Sequence, residues 1–393
     1  MNLFFIFAIM ILSIIHGTVG LRIIPYLNLN YNIKIVTWCC IALLAALPII
    51  PIILRSKGFE DEVVDWFSWA GYLSLGFFVL TFLAVVTKDL IYLVIGLLTK
   101  ITAAIGSPSS PTDPGRRDFI QKILSISIVT TTSVSTIAGL YAARKGATIM
   151  KTTVPIKGLD KDLSGMTIAQ VSDLHIGPTI KKGYVEEVVE QVNRLNPDII
   201  AITGDLVDGS VGYLSKHVEP IKDLHANIGK YFVTGNHEYY SGVDQWLEKT
   251  DQYGLTNLID SHEIITKGSG SITLGGVTDY RSSSIKPEHK SNPATAFYGA
   301  PEKIPKILLA HQPWSIFDAH KVGADLQLSG HTHGGQFWPF VYAVRMANPY
   351  TSGLHDHDGT WIYVNRGTGY WGPPMRLGVE SEITLVKLET KKS

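Results

Sequence analysis

The sequence predicts two parts: an α-helical transmembrane region over residues 1–145 and an α/β domain over residues 151–393. Three observations support this prediction. Hydrophobic residues make up 46% of the 393-residue chain. The long apolar runs precede Lys151, whereas short apolar runs of strand length follow it. One segment between two such runs has helical spacing, and strands alternating with helices are typical of α/β domains.

Five apolar segments approach the ~20 residues that a helix needs to span a bilayer. Pro48 and Pro51 are expected to kink the second segment near its end. The fifth is richer in Ser and Thr than the others. We therefore expect four to five transmembrane helices in contact with the lipid bilayer. The segments are residues 3–21, 33–54, 66–87, 90–106 and 119–143.

Residues 106–118 are rich in Pro, Ser and Gly and are expected to form a loop. This loop carries Arg116 and Arg117, close to the fifth apolar segment. The pair is similar to a twin-arginine export signal in an internal position, and the alternative is a pair of cytoplasmic flanking charges. Both interpretations place these arginines inside under the positive-inside rule. The α/β domain is then expected on the extracytoplasmic side of a bacterial plasma (inner) membrane.

Charge and cysteine content exclude some classes of function. The chain has 34 Lys and Arg against 34 Asp and Glu. It therefore lacks the excess of basic residues that is typical of nucleic-acid-binding proteins. Cys39 and Cys40 are adjacent in an apolar run. They provide neither a disulfide framework nor the spacing of a zinc site. The oligomeric state stays open.

The second part contains short apolar runs of the kind found in strands buried on both faces. Residues 182–195 place valines at helical spacing, and Asn196-Pro197 is expected to end that helix. Strand, helix and strand in this order predict a parallel βαβ unit. The predicted strands are residues 166–171, 198–203, 230–234, 271–277, 307–310, 325–328, 361–364 and 383–388.

Polar residues follow five of these strands at the point where each strand ends. In open α/β sheets, ligands gather at the carboxyl ends of the strands, so we expect these residues to converge. Glycines at 204, 235 and 330 permit close approach of the backbone there. Each segment alone is common by chance, but the ordered set is not. The segments are residues 172–175 (SDLH), 204–208 (GDLVD), 235–238 (GNHE), 311–312 (HQ) and 330–333 (GHTH).

In this order the segments resemble the calcineurin-like metallophosphoesterase superfamily. Its pattern is Asp-x-His, Gly-Asp-x-x-Asp, Gly-Asn-His-Asp/Glu, a lone His and Gly-His-x-His. The resemblance covers nearly all of residues 165–388. Residues 365–376 (NRGTGYWGPPMR) resemble the tail of a bacterial membrane-anchored branch. The resemblance implies an αββα sandwich of two mixed sheets, a metal-dependent phosphohydrolase activity and a phosphorylated substrate.

The resemblance also implies a role for each residue of the motifs. Asp205 would bridge two divalent metal ions. His237 would face the substrate, as a general acid or as a stabiliser of the phosphoryl oxygens, and Asp208 would orient His237. The other metal ligands would be Asp173, His175 and His333 for the first ion and Asn236, His311 and His331 for the second.

The chemistry of these side chains agrees with that implication. A mixed nitrogen and oxygen site suits Mn, Fe or Zn. Two metals ~3.5–4 Å apart can stabilise both the attacking and the leaving oxygen, and they lower the pKa of bound water to roughly 7. The expected reaction is therefore attack of metal-activated hydroxide on a phosphate ester or pyrophosphate. A lipid-linked substrate is attractive for a membrane-tethered enzyme.

Several alternatives stay open at this point. Arg366 and Arg376 are candidates to bind a substrate phosphate, or to form structural ion pairs. Trp371 and its neighbours form either an apolar lip or internal packing. Asp279 is a candidate to support the site from behind. Residues 355–358 (HDHD) are expected to form a solvated turn rather than a metal site.

The alternative function is a non-catalytic scaffold at the membrane that keeps the fold. The intact His237 and the complete set of expected ligands argue against it.

Overall fold

The computed structural model describes residues 3–105 and 113–391. The chain divides into two compact units between Ala138 and Gly139. The first unit is helical, and the second contains two six-stranded sheets with helices. These findings confirm the predicted order of an α-helical region followed by an α/β domain.

Four helical segments are long and apolar enough to cross a membrane, judged by length and composition: Ile6–Leu27, Tyr31–Ser56, Glu62–Ala104 and Pro114–Arg144. A short 3-10 turn, Ile24–Leu27, extends the first of them. The α-helices are α1 (Leu3–Ile23), α2 (Tyr31–Ala46), α3 (Ile49–Ser56), α4 (Glu62–Ala104) and α5 (Pro114–Arg144).

Helix α4 differs from the prediction, because residues 66–87 and 90–106 were expected to form separate spans. Up to Ala104 they lie in one continuous helix. The expected break falls at Lys88 and Asp89, and neither residue is a helix breaker. Lys88 is buried and lies 3.5 Å from Asp89, which in turn lies 3.0 Å from Arg22. The helix therefore continues through these charged residues, which lie within ion-pairing distance of one another.

The other helix ends follow local sequence signals. The expected kink occurs at Pro48, where α2 and α3 are separated. Helix α5 begins at Pro114, and the Asp113 carboxylate accepts a hydrogen bond of 2.9 Å from the backbone N–H of Gly115. Residues 114–118 are therefore helical rather than part of the predicted loop. Residues 106–112 lie outside the described part of the chain.

The second unit is built from two sheets. Its strands are β1 (Thr148–Ile156), β2 (Thr167–Val171), β3 (Ile199–Thr203), β4 (Gly229–Val233), β5 (Thr256–Asn257), β6 (Ser261–Lys267), β7 (Gly270–Gly276), β8 (Lys306–Leu309), β9 (Leu326–Ser329), β10 (Gly353–His357), β11 (Thr360–Val364) and β12 (Glu382–Thr390). One sheet has the order β1-β12-β2-β3-β4-β5 and the other has the order β10-β11-β9-β8-β7-β6. Both are mixed. The β12–β2, β10–β11 and β6–β7 pairs are antiparallel, and the remaining pairs are parallel.

Helices flank the two sheets. They are α6 (Lys182–Arg194), α7 (Val211–Val218), α8 (Asn236–Ser241), α9 (Val243–Gln252), α10 (Pro293–Ala296), α11 (Ile316–Lys321) and α12 (Phe340–Ala347). Helices α6, α7 and α9 pack on the first sheet, and α10 and α11 pack on the second. Shorter 3-10 turns lie at Lys161–Leu163, Glu219–Asp223, Ser282–Ser284, Pro313–Ser315 and His333–Gly335.

The main core lies between the two sheets. Ile168 and Ile199 of the first sheet share a fully buried cluster with Leu309 and Leu328 of the second. Burial of this kind stabilises a domain by roughly 25 cal/mol per Å2 of apolar surface. The observed layers are the αββα sandwich that the sequence predicts.

Four strands of the α/β domain were not predicted: β1, β5, β6 and β10. Strand β1 was not predicted, because its Lys and Thr side chains interrupt the apolar pattern, and the predicted domain start at Lys151 falls inside it. Residues 355–358 were expected to form only a turn. Most of them lie on edge strand β10, and Asp358 makes the tight turn to β11 with a φ of 52°.

Candidate metal centre

The carboxyl ends of strands from both sheets meet at one site. Asp173 and His175 follow β2, Asp205 and Asp208 follow β3, and Asn236 and His237 begin α8 after β4. The second sheet contributes His311 after β8, and His331 and His333 after β9. The structure therefore brings the segments of the predicted site together. Three groups have potential ligand atoms within 4.8 Å of one another: Asp173, His175 and His333; Asp205, His311 and His331; and His175, Asp208 and His237.

The first group joins the two sheets through a pair of histidines. The Nε2 atoms of His175 and His333 lie 3.0 Å apart. Oδ1 of Asp173 lies 3.5 Å from Nε2 of His333. Burial and the neighbouring His175 hold the pKa of His333 well below its usual range. A neutral imidazole with a buried lone pair is a good ligand for a divalent metal.

In the second group, the tautomer of His311 is fixed by its surroundings. Its Nδ1 lies 2.8 Å from the carbonyl oxygen of Thr203, which can only accept, so Nδ1 carries a hydrogen. Its Nε2 lies 3.1 Å from Asp205 Oδ2 and 3.2 Å from His331 Nδ1. Burial opposes protonation of His311, but the Asp205 carboxylate outweighs it and raises the pKa well above its usual range. The surroundings of His311 therefore favour a positive charge at its Nε2 atom, either a proton or a metal ion.

Asn236 is the remaining ligand expected for the second metal. Its Oδ1 atom is buried and accepts no hydrogen bond from the described residues. Buried carbonyl oxygens in proteins are almost always paired, so one without a partner requires an explanation. A divalent metal ion beside His311 and His331 would provide the missing partner. The donor set therefore fits a metal ion.

Asp205 lies between the two groups. Its Oδ2 atom is 3.1 Å from His311 Nε2 and 3.8 Å from His175 Nε2. Its other oxygen accepts a hydrogen bond of 2.9 Å from the backbone N–H of His237. Burial favours the neutral acid, but His311 and His237 lower the pKa of Asp205 well below its usual range. One charged oxygen is thus available to both groups.

His237 and Asp208 form a separate pair at the edge of the site. Nδ1 of His237 contacts Oδ1 of Asp208, and Asp208 Oδ2 lies 3.2 Å from His175 Nδ1. Burial opposes protonation of His237, but Asp208 and Asp205 raise its pKa to about 10. The imidazole is partly exposed and lies edge-on to the Trp371 ring at 5.5 Å. His237 thus combines a raised pKa with access to the protein surface.

The backbone of the site is strained in a characteristic way. Non-glycine residues with positive φ are uncommon and cluster at functional sites. A Cβ atom at Gly330 would collide with Ser172 and Asp173, and one at Gly235 would collide with Asp205. The close approach predicted for these two glycines is thus present. The site residues with positive φ are Asp173, His175, Asp205, His331 and His333, with φ between 49° and 71°.

Glu238 organises the loops although the sequence assigns it no role. Its buried carboxylate accepts backbone hydrogen bonds from Gly235 (2.6 Å), Asp205 (3.0 Å), Leu206 (2.8 Å) and Val207 (3.3 Å). It therefore ties the end of β3 to the start of α8. The signal that identifies it is its position three residues after the N-cap Gly235, where a Glu side chain can accept a hydrogen bond from the N-cap N–H.

The structure does not support a substrate-binding role for Arg376. Its guanidinium is fully buried and donates to the carbonyl oxygens of His333 (3.0 Å), Arg366 (2.7 Å) and Gly367 (3.2 Å). It also lies 3.2 Å from His333 Nδ1. Arg376 therefore positions the tail and His333. Sequence reasoning missed this, because burial of an Arg is not visible from composition.

Arg366 forms the structural ion pair that was the alternative to phosphate binding. Its Nε lies 2.5 Å from the buried Glu382 carboxylate. A pair of this kind leaves the guanidinium committed within the domain, so the prediction of substrate binding by Arg366 is not supported either.

The other residues considered near the site differ in their positions. Asp279 is buried behind the second group and accepts a hydrogen bond of 2.8 Å from Gln312, the residue after His311. Tyr370 and Met375 are buried in the domain, which supports internal packing. Trp371 is exposed next to His237. In the tail, only this last residue has the position expected of an apolar lip.

Comparisons with known proteins agree with this geometry. Residues 166–335 match the family model described as calcineurin-like phosphoesterase. A Danio rerio protein named "Transmembrane protein with metallophosphoesterase domain" is 33% identical over 339 residues, which cover 84% of this chain and 75% of the relative. An uncharacterised metallophosphoesterase of Helicobacter pylori is 38% identical over 260 residues, 64% of this chain and 67% of that protein. The chain belongs to the calcineurin-like metallophosphoesterase family.

Membership defines the class of chemistry. This metallophosphoesterase is a metal-dependent phosphoesterase and acts on a phosphorylated substrate. Its four candidate spans make it a membrane protein. Bos taurus has a relative with the same name as the Danio rerio protein, 34% identical over 337 residues, 82% of this chain and 74% of that protein. The similarity is therefore not restricted to bacteria.

Replacement of Glu238 by Ala should destabilise the domain. The change removes the acceptor of four backbone N–H groups in a buried position. We expect the stability to fall by about 3 kcal/mol or more, measured as a lower midpoint of thermal unfolding in detergent. Glu248→Ala, at an exposed position on α9, should change stability by no more than about 0.5 kcal/mol. Equal midpoints for the two variants would contradict the role given to Glu238.

Proposed function

We propose that this metallophosphoesterase binds two divalent metal ions and hydrolyses a phosphate ester or pyrophosphate, with a lipid-linked phosphate as the preferred class of substrate. The observation that carries the proposal is the position of Asp205 Oδ2, within reach of His311 and His175. A bridging carboxylate holds two metals at the separation that in-line displacement requires. The proposed ligands are the seven residues named above: Asp173, His175, Asp205, Asn236, His311, His331 and His333.

The donor set favours Mn, Fe or Zn. Four imidazoles accompany two carboxylates and one amide, and imidazole nitrogens suit these metals better than Mg or Ca. When bound, the metals would supply a nucleophile at neutral pH and offset the charge of the phosphoryl group. The protein itself contributes orientation, through the strained loops and the hydrogen bonds of Glu238. Phosphoryl transfer depends mostly on such positioning and on charge neutralisation.

His237 is proposed to act on the leaving group or on the phosphoryl oxygens. Against the effect of burial, Asp208 and Asp205 raise its pKa to about 10. The imidazole is partly exposed and oriented by the Asp208 carboxylate through Nδ1, which leaves Nε2 free for the substrate. A proton donated from Nε2 to a departing alkoxide would neutralise the charge that develops there. The Asp208 carboxylate would stabilise the imidazolium before transfer and retain its orientation afterwards. The scaffold alternative would need none of these features.

Asp205 is expected to be essential for metal binding. Asp205→Asn replaces a charged ligand oxygen with a neutral one between both groups, so we expect loss of both metals and of activity. The measurement is metal content of the purified full-length protein by plasma mass spectrometry, with Mn present during purification. Asp318→Asn, on the outer side of α11 where the side chain is 49% exposed, is the matched control. Retention of one metal equivalent in the Asp205 variant would contradict a bridging role.

His237→Ala is expected to keep the metal content of the wild type and to lower kcat by roughly 10²–10⁴-fold. The loss should be smaller for p-nitrophenyl phosphate than for an alkyl phosphate, because p-nitrophenolate departs without a proton. His225→Ala, at an exposed position, is the control. Equal losses on the two substrates would favour stabilisation of the phosphoryl oxygens instead. An undiminished kcat would contradict both roles.

We further propose that the catalytic domain lies outside the plasma membrane. With four crossings rather than five, the positive-inside rule is better satisfied when residues 106–113 are inside. A fluorescent reporter fused after Asp113 should then be active in the cytoplasm, and alkaline phosphatase fused after Ser393 should be active outside. The opposite pattern would reverse the orientation. In this topology Arg22, Lys34, Lys100, Arg116 and Arg117 lie near the inner ends of the spans, and Arg55, Lys57, Arg144 and Lys145 lie near the outer ends.

A further inference from the structure

An exposed apolar surface follows the loop after β9, which carries the proposed ligands His331 and His333. Its large side chains have exposed fractions of 58% for Trp338, 40% for Phe340, 59% for Tyr342 and 85% for Met346. We call these four residues the aromatic rim. Helix α12, which carries three of them, has no buried residue. Large apolar residues concentrated in this way mark an interaction surface, whereas single exposed ones are ordinary.

The aromatic rim is held rigidly beside the site. A Cβ atom at Gly335 would collide with the backbone of Val341, so α12 packs directly against the loop after His333. The rings of Phe337 and Phe340 lie 5.0 Å apart, and Phe337 is buried. The backbone N–H of Trp338 donates to Leu377 at 2.9 Å. The rim is therefore fixed to the same loop that carries His331 and His333.

Gln336 connects the aromatic rim to the accessible edge of the site. Its side chain bonds both the N–H and the carbonyl oxygen of Trp371, each at 2.9 Å. Trp371 is 53% exposed and lies next to His237. Apolar surface thus extends from the proposed proton donor, across Trp371, towards α12. A substrate with a phosphate at His237 and a hydrocarbon chain would find apolar side chains along that direction.

The composition of the rim specifies its partner. From Gln336 to Ala347 the chain contains one charged residue, Arg345, and no acidic residue. Trp, Tyr, Phe and Met with a cationic side chain are typical of surfaces that lie in the interface of a bilayer. A single cation also suits the anionic lipids found there. The same chain carries four helices apolar enough to cross a membrane, so a bilayer is always near.

We propose that the aromatic rim inserts into the lipid interface and presents the site to phosphates borne by membrane lipids. This inference deepens the proposed function and rests on it for the substrate class, whereas the contact with the bilayer stands on the rim alone. The occupant is therefore the headgroup and upper acyl region of the bilayer to which the protein is anchored. The rim lowers the KM for a lipid-borne phosphate without taking part in the chemistry.

The contact is tested by spin labelling of the full-length protein in vesicles of phosphatidylcholine and phosphatidylglycerol. Cys39→Ala and Cys40→Ala remove the native thiols, and Met346→Cys provides one label site. Tyr298→Cys is the matched control, because Tyr298 belongs to the same domain and is also 85% exposed. We expect the label at position 346 to collide more with oxygen than with a water-soluble nickel chelate, and the label at position 298 to show the reverse. Matching accessibilities would overturn the proposal.

The substrate class is tested with the double variant Trp338→Ser, Met346→Ser. We expect its KM for dioleoyl phosphatidate in the same vesicles to rise by at least about tenfold, because two apolar contacts are lost. Its kcat/KM for p-nitrophenyl phosphate should be unchanged. Equal effects on both substrates, or a wild type that cleaves only the soluble ester, would overturn the lipid assignment.

A wild type that cleaves neither substrate with Mn would instead refute the proposed function. The labelling result would still decide whether the rim contacts the bilayer.

Discussion

The buried carboxylate of Asp205 is the constraint around which the site is arranged. An unpaired charge in this position would be strongly unfavourable. Two neighbours compensate it: His311 faces one oxygen, and the N–H of His237 donates to the other. Glu238 fixes the Asp205 backbone by accepting its N–H. Gly235 leaves room for the carboxylate, because a Cβ atom at that position would collide with it. Packing, hydrogen bonds and strained backbone together hold this one negative charge in a fixed place.

Much of the fold was predictable because its strands are short, apolar and buried on both faces. Strand β3 illustrates this, since all its residues are buried and its predicted bounds differ by one residue from the observed ones. Strand β1 was missed because it pairs at a sheet edge, where Lys and Thr are tolerated. The break expected within α4 does not exist, because neither Lys88 nor Asp89 breaks a helix, and the two lie within ion-pairing distance. Hydropathy records a charge but not its partner.

The convergence of the site was predictable for a different reason. Parallel strands place their carboxyl ends at one edge, so residues such as Asp173 and Asp205 meet whatever the loops do. The contributions of Arg376 and Glu238 were not predictable in this way. Both act on backbone atoms, and such contacts depend on where the chain folds rather than on a spacing. The aromatic rim was not predicted either, because residues 338–346 are as apolar as a core segment.

The two sheets contribute unequally but jointly to the candidate centre. Asp173, His175, Asp205 and Asn236 follow strands of one sheet, whereas His311, His331 and His333 follow strands of the other. Any ion held by these residues would fasten the two layers together at their open edge. Metal binding would then stabilise the folded domain against unfolding. For a cell, scarcity of the ion would then act twice, by slowing turnover of the substrate and by shortening the lifetime of the less stable protein.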